Sequence, residues 1–114
     1  MDPTEKGKYI HEVDAVLRPL GFKKPARSQE WSKVVATDRH WVHVNFGLSI
    51  VNVSLGVEYM DIRAAWAGIP GAVFSTFVML SSVAGLREVR ALDASPAGMA
   101  SDIQDVAPDT LNNL

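Results

Sequence analysis

The sequence predicts one α+β domain, an antiparallel sheet of about four to five strands with N- and C-terminal helices packed on one face. Three observations carry this. Residues 41–48 alternate, with Val42, Val44, Phe46 and Leu48 on one parity and Trp41, His43 and Asn45 on the other; residues 50–57 repeat the pattern, with Val51, Val53, Leu55 and Val57 set against Asn52, Ser54 and Gly56. Successive side chains of a strand leave on opposite faces, so each run has one apolar and one mostly polar face, as in a sheet covered on one side only. Near the start, Tyr9, Ile10, Val13, Val16, Leu17 and Leu20 recur at helical spacing. Near the end, Met99, Ile103 and Val106 do the same. The 114 residues fit a single domain, 1–114, long enough to bury a core without staples.

The first helix starts at Asp2-Pro3-Thr4-Glu5: Asp2 is a capping residue, Pro3 suits the first helical position and Glu5 stands where a capping-box acid would. Asp14 and Arg18, four apart, pair weakly on its outer surface, and Pro19 and Gly21 close it. Residues 22–27 form a short extended piece and residues 30–36 the strand before the hairpin, with Trp31 facing the core and Thr37-Asp38-Arg39 as the turn. Gly47 to Ser49 turns the central hairpin. Asp61 caps a short helix over residues 62–67, ended by Gly68. Residues 72–80 are rich in β-formers and read as a strand, although Val73, Phe77 and Leu80 also fit helical spacing. Residues 87–92 suit an edge strand. Ser95-Pro96 opens the last helix and Pro108 ends it, leaving residues 111–114 as a frayed tail.

Composition removes several function classes. There is no cysteine, hence no disulfide and no thiolate metal site. A formal net charge of −2 gives no global attraction to nucleic acid or anionic lipid. The opening MDPTEKGKYI has no apolar signal core, and a cytoplasmic location is expected. Residues 64–86 carry no formal charge and are long enough to span a bilayer. Gly68-Ile69-Pro70-Gly71 breaks the stretch, and Ser75, Thr76, Ser81 and Ser82 dilute it, so a loop and a buried strand are expected there.

No catalytic constellation emerges, and neither enzymatic activity, cofactor nor metal is expected. His40 and His43 are three apart on a strand and point to opposite faces, so they do not share a metal. His11 and Asp14 could orient a general base, but no nucleophile accompanies them. Glu58 and Asp61 are two nearby carboxylates, of which Asp61 is accounted for as a cap. The Gly68–Gly71 tract lacks the Lys-Ser/Thr of a phosphate cradle.

The surfaces say more. Residues 18–39 hold six bases, Arg18, Lys23, Lys24, Arg27, Lys33 and Arg39, against Glu30 and Asp38, with Trp31 and Trp41 interleaved. Bases plus aromatics are what single-stranded nucleic-acid binding uses. From Asp93 onward there are four acids and no base. Asp102, Asp105 and Asp109 recur at three and four, on one helical face if the turn at Pro108 permits, and an acidic stripe of that kind is either the solvated side of a helix or a docking surface for a basic partner. Trp41, His43 and Asn45, on the polar parity of the hairpin, form a second candidate surface.

The helix exit Leu17-Arg18-Pro19-Leu20-Gly21-Phe22-Lys23-Lys24, the Trp-centred strand Glu30-Trp31-Ser32 and the strand end Val53-Ser54-Leu55-Gly56-Val57 resemble small bacterial domains, some of which are immunity proteins of polymorphic-toxin or contact-dependent growth inhibition systems. The likeness covers residues 8–58 and carries over no fixed binding residues, because such proteins diversify their interface with each toxin. It implies a non-enzymatic protein that binds and blocks one cognate toxin domain, often a nuclease, inside the producing cell. The expected partner-binding residues are then Asp102, Asp105, Asp109, Trp41, His43 and Asn45. The alternative is a single-stranded nucleic-acid-binding module using segment 18–39 with Trp31 and Trp41.

Overall fold

The computed structural model describes residues 2–48, 51–59, 75–79 and 95–113, with residues 75–79 described by their backbone. The elements are α1 (Pro3–Leu17), a 3-10 turn (Arg18–Leu20), β1 (Glu30–Val35), β2 (Asp38–Phe46), β3 (Val51–Tyr59), β4 (Ser75–Met79) and α2 (Pro96–Asn112). The described strands pair antiparallel in the order β1-β2-β3-β4, so the α+β class with an antiparallel sheet holds. β4 falls inside the stretch 72–80. The predicted helix at 62–67, the loop at 68–71 and the edge strand at 87–92 lie outside the described residues.

The alternation of the hairpin is real pleating. Register places Trp31, Val42 and Leu55 in one row and Val44 beside Val53, and all five are fully buried. Tyr9, Val13 and Leu17 of α1 and Met99, Ile103, Ala107 and Leu111 of α2 complete the same core. Residues of both helices and of the sheet's apolar parity thus share one core. Leu48, placed on the apolar face by parity, is 96% exposed because β2 ends at Phe46 and the chain is already turning.

Local chemistry fixes the helix ends. Asp2 Oδ1 accepts the Glu5 amide at 2.9 Å and Ser95 Oγ the Gly98 amide at 3.0 Å, each followed by proline at the first helical position. At the other end of α1, Gly21 adopts φ 94, its amide donates to Arg18 O, and the Phe22 amide donates to Leu17 O. This is a Schellman closure. Its apolar pair, Leu17 and Phe22, is buried.

Three expectations are corrected. Pro108 does not end the last helix: α2 runs through it to Asn112. A proline inside a helix costs roughly 3 kcal/mol through the lost hydrogen bond and ring crowding. One more turn buries Leu111 to 2% exposure beside the fully buried Ala107, and full burial of a leucine contributes about 1.5–3 kcal/mol, so the two effects nearly offset. The turn before β2 is Ala36–Thr37 rather than residues 37–39, since Val35 pairs with Asp38 and Ala36 takes φ 55. Alanine gives no sequence signal for a left-handed conformation. Residues 22–27 are extended only in part: Lys23 exchanges two 2.9 Å backbone hydrogen bonds with Ser32, and the chain then turns, the Ser28 amide donating to Pro25 O with Arg27 at φ 64.

Asp14 does more than pair on the surface. Its Oδ2 accepts from Arg18 Nε at 2.6 Å, while its Oδ1 accepts from the indole Nε1 of Trp31 at 2.9 Å. Burial opposes ionisation of this carboxyl, but the hydrogen bonds from Trp31 and Arg18 and the charges of Arg18 and Lys24 outweigh it and hold Asp14 below the usual carboxylate range. Asp14→Ala should cost about 2–3 kcal/mol, because it leaves a buried indole N–H without its acceptor. Asp14→Asn, which keeps a carbonyl oxygen, should cost less. Urea unfolding of the two variants checks the ranking.

His40 sits on the core face between Lys33 and Val57 and is 6% exposed. Burial, with a smaller push from Lys33, lowers its proton affinity below the ordinary 6.5, and Asp38 only partly offsets this. The unfolded chain therefore takes the proton first. Stability should be complete above about pH 6.5 and should decline as pH falls below it, until the folded state also protonates. The lowered Asp14 acts in a separate window, below its ordinary 3.8. Thermal melts between about pH 7.5 and 5 should show the decline, and His40→Gln should flatten it.

Candidate functional site

The face of the sheet turned away from the helices is built by the polar parity of β1, β2 and β3. Register sets Glu30, His43 and Ser54 in one row, Ser32, Trp41 and Gly56 in the next, and Val34, Arg39 and Glu58 in a third. Asn45 stands opposite Asn52 at the near end. A shallow hollow on this face is lined by Glu30, Trp41, His43, Asn45 and Ser54. The expected surface residues Trp41, His43 and Asn45 are thus brought together, and Trp41 lies between two small residues.

Beside the hollow, Arg39 bridges two carboxylates. Arg39 donates from Nε and Nη2 to Glu58 Oε2 at 3.1 and 3.0 Å, and from Nη1 to Glu30 Oε2 at 3.2 Å. The Glu58 side chain is only 9% exposed, whereas Glu30 and His43 stand more than a third exposed. His43 Nδ1 is 3.7 Å from Glu30 Oε1, too long for a strong hydrogen bond. Asn45 Nδ2 donates to Ser54 Oγ at 2.8 Å. The buried Oδ1 of Asn52 has no hydrogen-bond partner.

Sequence reasoning did not find the Glu30–Arg39–Glu58 cluster. Arg39 and Glu58 are opposite charges directly across β2 and β3, whereas Glu30 pairs with His43 and comes to Arg39 only through the β1–β2 register, which the unforeseen Ala36–Thr37 turn sets. Glu58 had instead been considered with Asp61, which lies outside the described residues.

The remaining candidates separate. His40 is in the core and His43 on the opposite face, as their spacing dictates. His11 lies in a groove with Thr4, Gly7, Lys8, Glu12 and residues 95–97, while both oxygens of Asp14 are taken by Trp31 and Arg18, so no His11–Asp14 dyad forms. Trp31 is fully buried and offers no stacking platform. Lys33 Nζ bonds Leu20 O at 3.0 Å and lies over the Phe22 ring. Among the described residues no three acidic or histidine side chains gather at metal-binding distance, and no helix is long and apolar enough to cross a membrane.

Asp102, Asp105 and Asp109 share one face of the unbroken α2, with Asp105 and Asp109 exposed and Asp102 half-buried. The stripe lies on the side of α2 away from its buried residues Met99, Ile103 and Ala107. No protein-family model, curated protein or solved structure matches the chain.

The Arg39 cluster predicts a measurable coupling. Arg39→Met strips a poorly solvated carboxylate of its guanidinium and should cost about 2 kcal/mol, while Arg39→Met with Glu58→Gln should recover part of that loss. A double-mutant cycle in urea measures the recovery.

Proposed function

We propose that this chain is an immunity protein that binds and blocks a cognate bacterial toxin domain, a nuclease in the first instance. The reading takes the whole chain as a platform of four to five strands with both helices on one face. It draws on the resemblance of residues 8–58 to immunity proteins. One observation carries the choice of surface: α2 continues through Pro108, so Asp102, Asp105 and Asp109 form a single stripe on a helix with no base. A nuclease cleft must hold phosphates and is basic. An acidic stripe facing it speeds encounter and fixes orientation. The single-stranded nucleic-acid reading is less favoured, because Trp31 is committed to the core and Lys33 and Arg39 to part-buried contacts.

The test is co-purification with the toxin fragment encoded directly upstream; absence of a complex at micromolar concentration removes the proposal. Within a complex, Asp105→Lys with Asp109→Lys should slow association about tenfold at low salt and lessen its salt dependence. Unchanged kinetics would assign recognition to another face.

A further inference from the structure

We draw no further inference here: the strongest candidate, the groove between α1 and the start of α2 lined by Gly7, Lys8, His11 and Glu12, rests on a helix N-terminus with a base and an acid both beside it, and nothing in the structure shows what covers it.

Discussion

The bond between the Trp31 indole and Asp14 is the constraint on which the arrangement depends. Trp31 is the largest fully buried side chain among the described residues, and it sits on the first strand of the sheet, where burial is otherwise hard to complete. Its apolar body belongs in the core, but its N–H needs an acceptor there. Asp14 supplies one from α1, seventeen residues back. That contact ties α1 to β1 beside the packing of Tyr9, Val13 and Leu17, and the hydrogen bonds from Trp31 and Arg18, with the charges of Arg18 and Lys24, favour the ionised carboxylate against burial. Lys33 closes the same corner by capping the end of the 3-10 turn at Leu20 O.

Once that corner is set, the two sides of the sheet diverge in chemistry. The helix side is an apolar core beside which His40 is buried, its proton affinity lowered first by burial. The other side is polar and ordered by ion pairs rather than by packing. Its pairs are short and partly shielded, so Arg39, Glu30 and Glu58 hold fixed positions in a way that scattered surface charges do not. The acids of α2 lie apart from this network, on the side of the helix away from its buried residues.

Legibility in the sequence followed the range of the interaction. Patterns within one element were plain: the alternation around Val44 and Val53, the stripe through Val13 and Leu17, and the caps at Asp2 and Ser95 depend on neighbours a few residues away. What could not be seen depends on pieces far apart. Asp14 looked like half of a helix-surface pair because Trp31 is brought to it only by folding. Arg39 looked like a turn residue until Ala36, in a conformation alanine rarely adopts, moved the turn by one position. Pro108 looked like a stop because local propensity cannot register the burial of Leu111. The candidate surface was legible by residue and parity at Trp41, His43 and Asn45, while its charge network was not.

The brace at Lys23 has an effect on how this molecule can be recognised. Strand edges ordinarily invite a visiting chain to pair main chain with main chain. Here the Ser32 amide and carbonyl are both engaged by Lys23, and the Glu30 amide is engaged by the Ser28 hydroxyl. A visitor could displace Lys23 only by uprooting its neighbour Phe22, which is 2% exposed. Sheet extension past β1 is thereby discouraged, whether by a binding peptide or by a second copy in an aggregate. Specificity on this flank must come from side-chain identity, which substitution can alter without disturbing the backbone that displays it.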